Sequence, residues 1–290
     1  MNAKRVSPKP PWLKRRLPYG PDFETLRGLI DEGALHTVCQ EARCPNIWEC
    51  FSHRTATFLI MGPRCTRNCR FCAVSHEPVR PLNPDEPDRV AGAAARMGLK
   101  YIVITSVTRD DLADGGASHF AATIEAVHHR LPDAKIEVLI PDFKGSRAAL
   151  QTVLNAGVDV LNHNMETVPR LYPTVRPQAD YQQSLTLLER AAVLAPGVAT
   201  KSGLMLGLGE TGGEIQQVLT DLVACGCGFL TLGQYLQPSA GHLPVKRYIP
   251  PEEFEQWRRK ALDMGFRGVA SGPFVRSSYH AKDLYENEKN

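Results

Sequence analysis

From about Thr55 onward, short apolar runs alternate with stretches in which apolar residues recur every three or four positions. The runs at 57–61, 101–105, 136–140, 158–161, 200–206 and 229–232 are short and mostly β-branched or aliphatic, which predicts strands. Helical periods fall at 87–97, 117–130, 146–155, 181–194 and 213–225. Glycine follows three of these closely, at Gly98, Gly157 and Gly226, a frequent helix stop. Six β/α units in series imply a parallel sheet with right-handed crossovers. An open, doubly wound sheet and a complete or partial β/α barrel both satisfy this order. In a barrel, functional residues collect on the loops after the strands. The loop at 63–75, which carries three cysteines, does follow the first strand. The expected fold is therefore α/β, a partial (β/α)6 barrel.

Two segments fall outside the repeat. Residues 1–54 carry a helical pattern near 23–32 and three further cysteines, and residues 233–290 add a proline-rich stretch, a helix near 252–264, a short apolar run at 266–270 and a polar tail. The expected organisation is an N-terminal extension at 1–54, a barrel at 55–232 and a C-terminal extension at 233–290. No apolar run approaches the roughly 18 residues that a membrane span needs. The basic, proline-rich start, from Lys4 and Arg5 to Arg15 and Arg16, lacks the apolar stretch of a secretory signal and reads as a flexible, solvated arm. A net charge of +3 over 290 residues is too small to imply nucleic acid as a partner. Eight cysteines without an export signal point to metal or redox chemistry in a reducing, cytoplasmic compartment.

Six of those cysteines fall in two triples. Cys65, Cys69 and Cys72 form a C-x3-C-x2-C loop, tight enough for three thiolates to converge on one [4Fe–4S] cubane and leave its fourth iron open. Such an iron can be chelated by a ligand with free amino and carboxylate groups, and Phe71 is placed to keep water away. The competing reading is a structural zinc site completed by His76, although zinc sites usually show paired C-x2-C units. Cys39, Cys44 and Cys50 form a C-x4-C-x5-C loop stiffened by Pro45 and Trp48, and a second cluster there needs a fourth ligand from elsewhere. Cys225 and Cys227, at a helix end, read as small buried residues beside the barrel wall. A two-cluster electron carrier is a poor match, because such carriers are small and supply four cysteines per cluster.

The chain resembles the lipoyl synthase family of the radical SAM superfamily, over nearly its whole length from about Pro18. The resemblance rests on both cysteine triples in order and on five further stretches. These are Glu41-Ala42-Arg43-Cys44-Pro45-Asn46-Ile47, the segment from Thr105-Ser106-Val107 to Arg109-Asp110-Asp111-Leu112, Asn162-His163-Asn164-Met165-Glu166-Thr167, Gly233-Gln234-Tyr235-Leu236-Gln237-Pro238 and Arg276-Ser277-Ser278-Tyr279. The resemblance implies that the Cys65/Cys69/Cys72 cluster binds S-adenosylmethionine (SAM) and passes it one electron. The resulting 5′-deoxyadenosyl radical then abstracts hydrogen. It implies two sulfur insertions, at carbons 6 and 8 of an octanoyl group amide-linked to a lysine of a carrier protein, an E2 subunit or a glycine-cleavage H protein. An auxiliary [4Fe–4S] cluster on Cys39, Cys44 and Cys50 would be the sulfur donor, consumed in turnover. Its fourth ligand would be a serine of the R-S-S-Y tail, Ser278, with Ser277 as the alternative.

Further partners implied by the resemblance are a low-potential donor such as ferredoxin or flavodoxin and an iron–sulfur carrier that rebuilds the spent cluster. For SAM, the glycine-rich segment with Gly203, Gly207 and Glu210 matches the superfamily's adenine-side pattern, with Met205 in place of isoleucine. Thr105 and Ser106, with Asp114-Gly115-Gly116 beyond them, are expected at the amino group. Asn162, Asn164 and Glu166 are expected at the ribose and carboxylate. Read without the resemblance, such glycines mark ordinary turns, and polar residues at strand ends cap helices.

Overall fold

A computed structural model describes residues 9–14, 21–42, 44–52 and 56–286. Most of the basic arm, including Lys4, Arg5, Arg15 and Arg16, lies outside the described residues. Eight strands form one sheet: β1 (His36–Thr37), β2 (Thr57–Ile60), β3 (Tyr101–Ser106), β4 (Lys135–Leu139), β5 (Val160–Asn162), β6 (Ala199–Leu206), β7 (Phe229–Gln234) and β8 (Gly268–Gly272). Eleven α-helices accompany them among the described residues: α1 (Pro21–Glu32), α2 (Val38–Glu41), α3 (Ile47–Ser52), α4 (Glu86–Arg96), α5 (Ala117–Arg130), α6 (Arg147–Asn155), α7 (Tyr172–Val175), α8 (Tyr181–Leu194), α9 (Gly212–Ala224), α10 (Pro251–Asp263) and α11 (Ala281–Glu286).

Strand order decides between the two architectures left open above. The strands run β1 through β8 in strict sequence, parallel from β2 onward, with β1 antiparallel at the edge. A doubly wound sheet reverses its order at a switch point, and this sheet has none. Right-handed crossovers that always step the same way place every helix on one face, so the sheet curls into a partial barrel. β1 and β8 are its unjoined edges. The sheet is wider than the six strands expected. The apolar run near Phe266 continues into β8 and pairs with β7 as a seventh parallel strand. On the other side, β1 pairs His36 with Leu59 and Thr37 with Phe58.

Local chemistry explains the element boundaries. Ser146 caps α6, Asp180 caps α8, and Thr211 with Glu214 makes a reciprocal capping box on α9. Gly98, Gly157 and Gly226 take φ of 64°, 92° and 80° just past helix ends, a backbone that costs glycine nothing. The central strands are buried on both faces, as parallel strands under helices must be.

The N-terminal end of the barrel is closed by a satisfied polar network. Lys201 Nζ donates to both Glu137 oxygens at 2.9 and 3.1 Å, the Tyr101 hydroxyl donates to Glu137 at 2.7 Å, and Asn162 Nδ2 donates to it at 3.2 Å. Leu284 and Tyr285 of α11 cover this network from below.

Candidate active site

The loop bearing Cys65, Cys69 and Cys72 leaves β2 through two consecutive left-handed residues, Met61 (φ 68°) and Gly62 (φ 79°). The Met61 amide donates to Glu86 Oε2 at 2.7 Å, and the His119 ring contacts the same oxygen at 2.6 Å. The Cys65 amide donates to the Ser75 carbonyl and the Cys72 amide to the Cys69 carbonyl, which closes the loop on itself. Cys65 Sγ accepts from the backbone amides of Arg67 and Thr108 at 3.4 and 3.3 Å. His242 Nε2 reaches the Cys72 carbonyl at 2.9 Å, and Phe71 packs beside the cluster of Val175, Leu208 and Tyr235. His76 is exposed.

A residue that sequence reasoning missed holds this loop in place. Arg67, between the first two cysteines, is buried and forked onto two carboxylates, Asp110 past β3 and Asp142 past β4, at 2.7 to 3.1 Å. Its only sequence signal is a cation inside a cysteine loop. Burial raises the Asp142 carboxyl, but the Arg67 hydrogen bonds and charge outweigh that and hold it at about 2. Bidentate pairs of this kind fix direction as well as distance.

Burial disfavours the ionised form of three of these thiols. Burial pushes Cys72 up to about 12, and burial with the neighbouring Cys44 and Cys50 pushes Cys39 up to about 12. Burial also raises Cys69, against the pull of Arg176. Such thiols give up their protons only to a strongly cationic group. Among the described residues, no three His, Cys, Asp or Glu side chains close around a single ion. A cubane, in contrast, takes its thiolates at separate corners.

At the C-terminal ends of β3 and β5 and in the segment after β5, buried polar atoms stand without partners. Of eight such side-chain atoms among the described residues, five are here: Ser106 Oγ, Asn162 Oδ1, Asn164 Oδ1, Thr167 Oγ1 and Arg176 Nε. Native interiors leave few polar atoms unpaired, so this concentration fits a site built to take a polar ligand such as SAM. Asn164 Nδ2 donates to Glu166 Oε1 at 3.0 Å. Burial raises the Glu166 carboxyl, opposed by Arg176, Asn164 and Arg276. Arg176, also missed from sequence, is buried behind Cys69 and donates to the carbonyls of Asn164 and Met165 and to the Tyr172 hydroxyl. A Cβ on Gly203 would come within 2.4 Å of Thr231 Oγ1 and 3.0 Å of Asn164 Oδ1.

The other candidates are already engaged. The Thr105 hydroxyl donates to the Leu139 carbonyl at 2.8 Å. Glu210 folds back to accept from the amides of Gly207 and Leu208. A Cβ on Gly207 would strike the Arg247 carbonyl and Gln234, so chain packing alone requires that glycine.

The second triple converges with the tail. Cys39 on α2, Cys44 in the following loop and Cys50 on α3 line one small cavity of about 20 Å³ with Asn46, Thr57, Arg276, Ser278 and Tyr279. Thr57 Oγ1 donates to Ser278 Oγ at 2.7 Å, Asn46 Nδ2 to the Phe274 carbonyl at 2.7 Å, and the Tyr279 hydroxyl to Glu49 at 2.7 Å. Asn46 Oδ1 is a further buried atom without a partner. Three thiols and a hydroxyl around one cavity form a donor set suited to an iron–sulfur cubane. Trp48 stacks on Phe23 of α1, with ring centroids 4.2 Å apart. Cys225 and Cys227 do not line this cavity, and Cys227 is buried against β6 and β7.

A sequentially wound, open β/α barrel with a C-x3-C-x2-C loop after its first parallel strand defines a radical SAM enzyme. The sequence model of the radical SAM superfamily accordingly matches residues 59–222. Residues 2–44 match the model of the N-terminal domain of lipoyl synthase of the radical SAM family. The lipoyl synthase of Alkaliphilus metalliredigens is 52% identical over 289 residues, covering 100% of this chain and 99% of that protein. That of Chlorobium phaeovibrioides is 56% identical over 275 residues, covering 94% and 96%. The chain belongs to the lipoyl synthase family, radical SAM enzymes that insert sulfur.

Solved structures carry the fold further afield. A maturase of the [FeFe]-hydrogenase aligns with TM-score 0.58 at 15% identity, over 85% of this chain and 63% of that one. Methylornithine synthase aligns with TM-score 0.52 at 17% identity, over 79% and 68%. Among the described residues, no helix is long and apolar enough to cross a membrane.

Proposed function

We propose that this chain inserts two sulfurs, at carbons 6 and 8, into an octanoyl group amide-linked to a carrier-protein lysine. Cys65, Cys69 and Cys72 hold the SAM-binding [4Fe–4S] cluster, and Cys39, Cys44, Cys50 and Ser278 hold a second one that donates sulfur. The observation that carries this reading is the single cavity in which Ser278, far along the chain, meets the three cysteines of the N-terminal segment. When bound, the first cluster with SAM supplies the one-electron chemistry that removes hydrogen from unactivated C–H bonds, and the second supplies sulfide.

The chain's own residues prepare this chemistry. Arg67 locks the Cys65–Cys72 loop to the ends of β3 and β4. The unpartnered oxygens of Ser106, Asn162 and Asn164 accept hydrogen bonds from the amino and hydroxyl groups of SAM, and Glu166 orients Asn164. Gly203 keeps space open in front of Asn164, while Thr105, Gly207 and Glu210 shape the surrounding strand ends. Ser278 supplies an oxygen, a poorer partner for iron than a thiolate, so its iron is the easiest to release as sulfur leaves. Carrier-protein E2 subunits or a glycine-cleavage H protein as substrate, a ferredoxin- or flavodoxin-type donor and an iron–sulfur carrier for rebuilding complete the reading. It places the enzyme in the cytoplasm, and among the described residues no cysteine is joined in a disulfide.

The test is an anaerobic reaction with an octanoyl-lysine peptide, SAM and a reductant, followed by mass spectrometry. The expected product gains two sulfurs; methionine and deoxyadenosine without sulfur gain would refute the assignment. Ser278→Cys should keep a second cluster yet suppress the second insertion, and full turnover in that variant would remove Ser278 from its role.

A further inference from the structure

The two serines of the tail do different things. Tyr279 N–H donates to the Arg276 carbonyl, so Ser277 and Ser278 are the central residues of one hydrogen-bonded turn. Ser278 faces the Cys39/Cys44/Cys50 cavity. Ser277 Oγ instead accepts from Asn164 Nδ2 at 2.6 Å, on the segment after β5. That amide nitrogen has two protons. Glu166 Oε1 takes one at 3.0 Å and Ser277 takes the other. An ionised Glu166 only accepts, so its carboxylate sets the nitrogen end of Asn164 toward it. Asn164 Oδ1 therefore points away, buried and without a partner, toward the space in front of Gly203.

We propose that Ser277 is a positioning residue that couples the SAM site to the auxiliary-cluster site. One bond does both jobs: it aims Asn164 Oδ1 at SAM, and it sets the turn that carries Ser278. Two neighbouring central residues of a closed turn move as a unit, so SAM seated against Asn164 stiffens the turn that presents the Ser278 oxygen. By linkage, the stiffened turn favours SAM by the same factor. The positive charge of Arg276, in the same turn, also acts on the Glu166 carboxyl, partly opposing the upward push of burial. The inference rests on the reading above for Asn164 and Ser278.

The experiment uses the cluster-loaded, full-length enzyme with SAM as the probe. Hydrogen exchange of peptides spanning 273–280 is measured in the wild type with and without SAM, and SAM affinity is compared between the wild type and Ser277→Ala. The expected results are slower exchange of 273–280 on adding SAM and SAM binding weakened about threefold to tenfold in Ser277→Ala, the worth of one hydrogen bond. Unchanged exchange in the wild type overturns the coupling without any variant having to fold, and so does wild-type SAM affinity in Ser277→Ala. A parallel Ser278→Ala variant separates the two claims. If its second-site iron content and EPR signal match the wild type, the ligand role of Ser278 fails, while the Ser277 result is judged on its own readouts.

Discussion

Gly233→Ala should uncouple the two halves of the reaction without touching a cluster ligand. Gly233 lies in β7, and a Cβ built there would sit 2.2 Å from the Val275 carbonyl oxygen and 3.2 Å from its carbon. The obstacle is backbone, three residues before Ser278, so no rotamer change relieves it. The tail must retreat by roughly 0.8 Å before that contact reaches even 3.0 Å, and a misplacement near 1 Å at a reacting group costs about a hundredfold. β7 remains paired with β6 on one side and β8 on the other, so the barrel should survive. The assay is iron and sulfide content with EPR of the reduced protein, followed by separate measurements of SAM cleavage and lipoyl product. With SAM saturating, the expected variant cleaves SAM at close to the wild-type rate but makes about a hundredfold less product, with its second cluster depleted. Wild-type product formation would refute the argument that the tail's close passage over β7 sets Ser278.

The other predictions concern what holds the two sites. Asp142→Asn leaves the buried Arg67 with one carboxylate instead of two and should cost about 3 kcal/mol at pH 7, read from denaturant unfolding. The Asp142 carboxyl is held at about 2 in the fold, so its contribution is complete above an unfolded pKa of roughly 3.9 and is lost as pH falls toward 2. The variant's acid limb should be correspondingly flatter, and an unchanged limb would remove Asp142 from that role. Lys201→Met strands the buried Glu137 carboxylate and should destabilise by about 3 kcal/mol, whereas Lys201→Met with Glu137→Gln, which removes the charge but keeps an acceptor for Tyr101 and Asn162, should recover most of it in a double-mutant cycle. Cys39→Ala should reduce bound iron from two cubanes to one and abolish sulfur insertion while SAM cleavage persists, and retention of both clusters would exclude Cys39 as a ligand.

Much of the barrel was legible because parallel strands buried on both faces leave dense apolar runs, and α5 and α8 fall on the residues that their periodicity marks. β8 was read as part of an extension because glycines bound it and a proline-rich stretch precedes it, and only pairing with β7 makes it a wall strand. β1, at two residues, has no periodicity to read. Cysteine spacing made both triples visible, since residues of one type on one loop fall in a single window of sequence. Arg67 with Asp110 and Asp142 could not be read that way, because the partners lie 43 and 75 positions away. The glycine-rich segment after β6 shows the converse hazard. Gly207 and Glu210 match a cofactor pattern, but their geometry is accounted for by the turn they build.

The two ends of the barrel carry similar polar side chains to opposite ends, and hydrogen-bond satisfaction tells them apart. Below, Lys201, Tyr101 and Glu137 sit under the cover of α11 and answer one another: an ammonium and a hydroxyl converge on both oxygens of one carboxylate. A network satisfied in this way rigidifies the fold and has no need of a ligand. Above, the hydroxyls and carboxamides are as deeply buried but leave an oxygen of Ser106, Asn162, Asn164 and Thr167 unpaired. Asn162 belongs to both ends, its nitrogen donating down to Glu137 and its oxygen left unpartnered. The lower network thus holds the carboxamide in the orientation that offers an acceptor to a ligand above. On the proposed reading, Glu137→Leu should accordingly weaken SAM binding through Asn162, although Glu137 itself never meets SAM, and an unchanged SAM affinity in that variant would refute it.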